Sequence, residues 1–374
     1  MTHTDNATRF LELIRRSQRG KFKIYIGMIA GVGKTCRMLR DAHDLMRSGI
    51  DVQIGYVETH GRKETEELLE GLPMIPRKKV FYKGKEIEEM DVDAILRIHP
   101  EIVIVDELAH SNIEGCRNGK RWQDVMNLLD AGINVIAALN IQHIESLHDE
   151  VSDVVGISIT ERVPDHVLGA ADEIVNIDLT ADELINRLKA GKIYAKEKVE
   201  FALNNFFNPE HILYLRELAL REVAFRVAKK IEGESFQTET PKHTRLLVCV
   251  SSNEQTQVRI IRRAARLAEQ RNAELVALYV QTEKESTLRI PLSQQRHLLK
   301  HLELAMQLGG RIVQKQADSV TDAIIATCKE EQPGMVCMGH PDFRFPKVMW
   351  RVFKYKRMLD FLKQNHMDFV IISV

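Results

Sequence analysis

The chain has 374 residues and a mass of 42.9 kDa, enough for two to three domains at about 150 residues each. Its 53 Lys and Arg balance 53 Asp and Glu, so no polyanion-binding surface is advertised and nucleic acid is not expected as a partner. No apolar run approaches the roughly 18 residues of a membrane helix, MTHTDNATRF lacks a signal peptide's apolar stretch, and five scattered cysteines form no CxxC pair; these features disfavour membrane-integral, secreted and disulfide-built proteins and fit a reducing cytoplasm.

The first regular element is FKIYIGMIAGVGKT, Phe22 to Thr35: an apolar strand, a Gly-rich turn and the start of a helix. That helix runs through Met38, Leu39, Ala42, Leu45 and Met46 and stops at Gly49. Val52 to Val57 reads as a second strand, and Ala94 to Ile98 closes a helix before Pro100. Ile102 to Val105 is a continuous β-branched run, the signature of a strand buried on both faces. Trp122 to Leu129 is helical, Gly132 ends it, and NVIAALN is a further strand. Strands alternating with helices at this spacing predict a doubly wound parallel sheet. Residues from about 180 to 232 are helix-rich and are expected to pack on that sheet. Phe201, Phe206, Phe207 and Phe225 are expected mainly in its core.

A polar stretch at 233–243 reads as a linker. A second series follows: strand Arg245 to Ser251, an Arg-rich helix Val258 to Asn272, strand ELVALYV, a helix around His297 to Leu308, strand RIVQKQ, helix Thr321 to Glu330, strand GMVCMGH, a helix around Met358 to Asn365 and strand DFVIISV. The organisation is thus an N-terminal segment 1–20, an α/β domain with a helical C-terminal part at 21–232, the linker, and a smaller open α/β domain at 244–374.

The strongest chemical signal is Gly31-Val32-Gly33-Lys34-Thr35-Cys36 between a strand and a helix, which resembles a P-loop. Glycines let backbone N–H groups wrap phosphates, the helix start adds partial positive charge, Lys34 reaches the outer phosphates and Thr35 can hold Mg²⁺. The strict pattern puts Gly or Ala where Met28 stands; Gly27 is one residue early, and a purely structural turn is the alternative. Val103 to Glu107 is a buried strand ending in two carboxylates. Asp106 is the Mg²⁺-side candidate and Glu107 a candidate for positioning an attacking water, or a plain loop carboxylate. Two loops at strand ends add Glu58, His60 and Arg62, and Asn140, Gln142 and His143, which are expected to gather around a ligand. Zinc is not expected, because these histidines lack a close-spaced partner ligand.

In the second domain Ser251, Ser252 and Asn253 follow the first strand, and Arg259, Arg262, Arg263 and Arg266 share one helical face. That face can meet phosphates, but a solvated or partner-facing surface is expected at least as readily. Aromatics interleave with cations from Phe343 to Arg351, suiting a nucleotide, an acidic partner or an anionic membrane surface.

GYVETHGRKETEELLEGLPMIPRKK, VDELAHSN, KRWQDVMNLLDAGINVIAALNIQHIESLHD and ERVPD, in this order, resemble the N-terminal cytoplasmic region of the KdpD family of bacterial potassium and turgor sensor kinases. The resemblance covers residues from about 20 to 230, and residues 243 to 374 resemble the universal-stress-protein-like domain that follows in the family. It implies a P-loop NTPase-like fold with a helical extension, then an adenine nucleotide alpha hydrolase-like domain. It further implies ATP with Mg²⁺ at the first domain and, in some members, cyclic di-AMP at the second, where Ser251, Ser252, Arg262 and Tyr279 are the candidate contacts. Two departures stand out. The second domain lacks the glycine-rich ATP loop of its superfamily after Gly339, and its Ser-Ser-Asn element only partly matches the cyclic di-AMP motif. Since no transmitter sequence follows Val374, no histidine-kinase activity is expected of this chain. The expected function is a nucleotide-binding regulatory module in potassium homeostasis, cytoplasmic or held at the membrane by a partner. Kdp potassium-transport or signalling proteins are the implied partners. A slow Mg-ATPase switch, or a homodimeric docking scaffold with vestigial nucleotide sites, is the alternative.

Overall fold

A computed structural model describes residues 18–82, 84–156, 159–204, 207–235, 245–283, 290–340 and 348–373. Most of the expected N-terminal segment, linker positions 236–243, Phe206, and Phe343 to Lys347 of the aromatic and basic run lie outside these described residues. The chain divides into two compact units, with the main boundary after Ile231.

The first unit is built on a five-stranded sheet. Its strands are β1 (Phe22–Gly27), β2 (Val52–Tyr56), β5 (Ile102–Val105), β6 (Asn134–Asn140) and β7 (Glu173–Ile177), in the order β2-β5-β6-β1-β7. All four pairings are parallel. The alternation of side chains along a strand sends Phe22, Ile24 and Ile26 to one face and Tyr25 to the other. Both faces are covered, which is why β5 and β6 carry scarcely a polar side chain. On the Tyr25 face, helix α1 (Lys34–Arg47) buries Met38, Leu39 and Ala42 against Ile54, Ile104 and Ile136. Gly49, at φ 84°, takes the chain out of that helix in the left-handed conformation that only glycine adopts cheaply.

Helices α2 (Lys63–Leu69), α3 (Val92–Ile98) and α4 (Arg121–Asp130) complete the first half of the unit. A hairpin and the edge strand β7 were not read from the sequence, nor were the short helices α2, α5 (His148–Val155) and α6 (Asp165–Gly169). The hairpin of β3 (Lys78–Tyr82) and β4 (Lys85–Glu89) pairs lysines with glutamates across an exposed antiparallel ladder, as in Lys79 opposite Glu88. Its apolar residues, Val80, Phe81 and Ile87, are few and none is buried, so no buried pattern marks it. Strand β7 is short, lies at the sheet edge and is only partly buried, so its pattern is equally weak.

After α5 (His148–Val155), α6 (Asp165–Gly169) and β7 come the helices of the C-terminal part: α7 (Ala181–Lys189), α8 (Lys196–Asn204) and α9 (Pro209–Ser235). Leu215, Leu218 and Ala219 of α9 and Phe207 join the main core. Phe201, expected in the core, is 73% exposed and is not part of it.

The second unit has its own five-stranded parallel sheet, order β10-β9-β8-β11-β12. The strands are β8 (Arg245–Val250), β9 (Glu274–Gln281), β10 (Arg311–Gln316), β11 (Met335–Gly339) and β12 (Asp368–Ile372). Between them run α10 (Glu254–Gln270), α11 (Leu292–Gln307), α12 (Val320–Glu331) and α13 (Val348–Gln364). The Arg-rich helix departs from the expected solvated face: Arg262 and Arg266 are buried, at 4% and 9% exposure. Ile260, Ile261, Ala264, Ala265 and Ala268 make a wide apolar stripe on α10, and the two arginines, one turn apart, are drawn in beside it along their aliphatic stems. Only Arg263 of the set is exposed.

Candidate functional site

The turn between β1 and α1 has a left-handed backbone at Gly31 (φ 87°) and Gly33 (φ 102°). A Cβ on Gly31 would come within 2.6 Å of two side-chain carbons of Ile193, and one on Gly27 within 2.5 Å of Val32. Gly27 therefore supplies the close approach that the strict motif assigns one position later, where Met28 is buried in the core. Helix α1 begins at Gly33 with no side-chain cap and no acidic residue in its first turn. Its first N–H groups have no intrahelical acceptor, and the helix dipole favours an anion there.

Lys34 is buried at the head of this helix. Its ammonium donates to the Ile29 carbonyl at 3.2 Å and to Asn140 Oδ1. Burial pulls its pKa down to about 8, against the opposing pull of Asp106. Thr35 Oγ1 donates to Asp106 Oδ2 at 2.8 Å. The strand carrying Asp106 does not pair with β1; β6 lies between them. Asp106 is buried, and desolvation raises its carboxyl above the ordinary range despite the Thr35 hydrogen bond.

Glu107 follows with φ 52°, a conformation that costs a non-glycine residue about 1 to 3 kcal/mol. Its amide donates to Asp106 Oδ1 at 2.9 Å. Arg121, fully buried, donates to the carbonyls of Asp106 (3.3 Å) and Glu107 (3.5 Å). The same guanidinium lies 3.7 Å over the Tyr56 ring and pairs with Glu89 at 3.3 Å. Arg121 thus ties the carboxylate loop to β2 and to the hairpin. Nothing in the sequence signals this role, because its partners lie up to 65 residues away along the chain. His60 Nε2 meets Glu107 Oε1 at 3.2 Å. That contact holds the Glu107 carboxyl below its ordinary value and raises the His60 imidazole.

Gly31, Gly33, Lys34, Thr35, His60, Asp106 and Glu107 line one cleft of about 1060 Å³ at the carboxyl ends of the strands. Of the first-unit candidates, all but Val32 and Gln142 line it. Gln142 stands beside the cleft on a 3₁₀ turn, its Oε1 buried without a hydrogen-bond partner. Burial lowers the His143 pKa, and its Nδ1 lies 2.9 Å from the Glu161 carbonyl. The far wall comes from the helical part, which sequence reasoning did not place here. Arg187 donates to the Gly31 carbonyl at 3.1 Å, Arg62 donates to the Ile193 carbonyl at 3.0 Å, and Tyr194 and Lys198 also face the cleft. The only trace in the sequence is a glycine followed by mixed apolar and basic residues at 191–198, a pattern too common to point to a site.

The residues present fit a magnesium nucleotide. The turn is cradled by glycines, a buried lysine stands at an uncapped helix start, and a hydroxyl and a carboxylate already meet. In the second unit Ser251 and Ser252 lie at the carboxyl end of β8, and Tyr279 lies opposite Val250 in register on β9. Ser252, Tyr279 and Arg262 are buried. His301, buried on α11, has Nδ1 3.1 Å from the Ser251 carbonyl.

The family profile described as KdpD, osmosensitive K⁺ channel His kinase sensor domain, matches residues 18–227, and that of the universal stress protein family matches 242–347. The sensor protein KdpD of Escherichia coli is 41% identical over 340 residues, covering 90% of this chain and 38% of the relative. That of Clostridium acetobutylicum is 44% identical over 329 residues, covering 87% and 36%. A putative sensor protein KdpD of Synechocystis is 41% identical over 322 residues, covering 86% of each chain. This chain therefore spans well under half the length of the first two relatives. Among solved structures, a universal stress protein in complex with cAMP is 14% identical and covers 35% of this chain and 97% of its own, at a TM-score of 0.26. Among the described residues no helix is long and apolar enough to cross a membrane. The chain belongs to the KdpD sensor family, joining a KdpD sensor unit to a universal-stress-protein-like α/β unit.

Proposed function

We propose that the first unit binds ATP with Mg²⁺ and that the chain is a nucleotide-responsive regulatory module of potassium-homeostasis signalling. The observation that carries this reading is the 2.8 Å contact between Thr35 and Asp106 beside the buried Lys34. When bound, the magnesium triphosphate supplies a concentrated negative charge and a metal seeking oxygen ligands. Lys34 and the α1 N-terminus offset the charge of the phosphates, and Thr35 and Asp106 are the residues that would hold the metal. Asn140, which accepts from the Lys34 ammonium, keeps that side chain aimed into the cleft. A signal requires that nucleotide favour one arrangement of the cleft over another, since a ligand of equal affinity shifts nothing.

The second unit is the proposed seat of cyclic di-AMP, with Ser251, Ser252, Arg262 and Tyr279 as contacts. Its support is the family match and the clustering of both serines at a strand's carboxyl end. Kdp transport or signalling proteins are the proposed partners.

A second reading is favoured by Glu107, which is held in a left-handed backbone conformation with its carboxylate in the cleft: the site is a slow ATPase, with Glu107 orienting water. Calorimetric titration of the whole chain with Mg-ATP, and separately with cyclic di-AMP, tests both sites. Micromolar Mg-ATP binding that Lys34→Ala abolishes supports the first; wild-type protein that binds neither ligand sinks the regulatory reading.

A further inference from the structure

We propose that Tyr194 is the nucleobase platform of the first unit, an inference that rests on the phosphate-site reading above. The cleft has two chemically different walls. One carries the carboxylates and imidazoles, among them Asp106, Glu107 and His60. The other, from the end of α7 onward, carries Ile193, Tyr194 and Ala195 among the cations Arg187, Lys192 and Lys198. A nucleobase presents flat, weakly polar faces. It gains by stacking on an aromatic ring.

Two contacts fix the Tyr194 wall to the phosphate turn, and a third fixes it to the loop after β2. Arg187 donates to the Gly31 carbonyl, Arg62 donates to the Ile193 carbonyl, and the Ile193 side chain sits directly on Gly31, where any Cβ would collide with it. Residue 194 therefore stands immediately beyond the start of the turn. Tyr194 meets the buried Phe207 edge to face, with ring centroids 5.7 Å apart and planes at 85°. That contact orients the ring while leaving Tyr194 37% exposed in the cleft. The cleft, about 1060 Å³, is just above the range for sites that take whole small molecules, so its volume accommodates more than a polyphosphate. A buried aromatic anchor beneath an exposed ring, set against a glycine turn, is the arrangement a purine needs once its phosphates are seated.

The test is calorimetry on the full chain with two probes, Mg-ATP and magnesium tripolyphosphate, which has the phosphates and no base. Tyr194→Ala is expected to weaken Mg-ATP about tenfold and to leave tripolyphosphate within twofold of wild type, while Tyr194→Phe binds Mg-ATP like wild type. Tyr194→Trp is expected to show fluorescence quenching with Mg-ATP and none with tripolyphosphate, which keeps the test open should the alanine variant fold poorly. The proposal is overturned if Tyr194→Ala binds Mg-ATP unchanged, if it loses both probes in parallel, or if the tryptophan responds alike to both. Wild-type protein that binds neither probe overturns the phosphate-site reading itself, a result distinct from failure at Tyr194.

Discussion

Thr35 Oγ1 donates a 2.8 Å hydrogen bond to Asp106 Oδ2 across the carboxyl end of β6, the strand interposed between their own two strands. The bond joins the start of α1 to the end of β5, two elements that share no backbone pairing. Asp106 is also fixed by the Glu107 amide on its other oxygen, so the carboxylate has a single orientation before any metal arrives. Asp106→Asn keeps the shape and removes the charge. It is expected to abolish the dependence of ATP affinity on Mg²⁺ while metal-free ATP binds as before; titrations with magnesium and with EDTA check this.

Lys34 sets a pH limit on binding. Its pKa is pulled to about 8 by burial, so in the free protein the ammonium is lost as pH rises through that value. Triphosphate prefers the charged form, and Mg-ATP affinity is therefore expected to fall above pH 8. Lys34→Met should bind at least tenfold more weakly, about 1.4 kcal/mol, with no step near pH 8. A step that persists in Lys34→Met would assign it to another group.

Glu107 and His60 form a pair whose contribution has two pH limits. The Glu107 carboxyl is depressed, so its share of stability is present above the ordinary carboxylate range and is lost as pH falls through the folded value. The His60 imidazole is raised, so its share is fully present below the ordinary imidazole value and is lost as pH rises through the folded one. Proton NMR is expected to show His60 titrating above the normal range in wild type and returning toward it in Glu107→Gln.

The same Glu107→Gln substitution separates an ATPase from a binding module. If Glu107 orients water, steady-state turnover drops at least tenfold, about 1.4 kcal/mol in barrier, while Mg-ATP affinity stays within twofold. Absence of turnover in wild type removes the enzyme reading and leaves the regulatory one standing.

Arg121 is the structural keystone of the carboxylate loop. Removing it leaves Glu89, whose side chain is almost fully buried, without its guanidinium partner, takes the Arg121 donor from the Asp106 carbonyl, and leaves the Glu107 carbonyl with the His110 N–H at 3.0 Å. Breaking a buried pair costs about 3 to 5 kcal/mol, so Arg121→Ala should lower the urea midpoint of the first unit markedly. Because His110 also donates to Glu89, at 2.9 Å, the double substitution Arg121→Ala with Glu89→Gln should lose less than the sum of the two single losses.

The sequence by itself determined the parallel α/β character of both units, the Gly31 to Thr35 turn and the carboxylates after β5. All of these are local patterns: fully buried strands read as unbroken β-branched runs, and a phosphate turn needs its glycines next to one another. The order of the strands, the charged β3–β4 hairpin and the edge strand β7 were decided by tertiary structure, because pairing partners leave no mark on a polar or half-buried strand. The same holds for the site. Lys34 and Asp106 announced themselves, whereas Arg187 and Tyr194 reach the cleft, and Arg121 the carbonyls of Asp106 and Glu107, only because packing folds the helical part and α4 onto the loops. The burial of Arg262 and Arg266 teaches the converse: helical spacing shows which side chains share a face, but only the sheet beneath decides whether that face meets solvent.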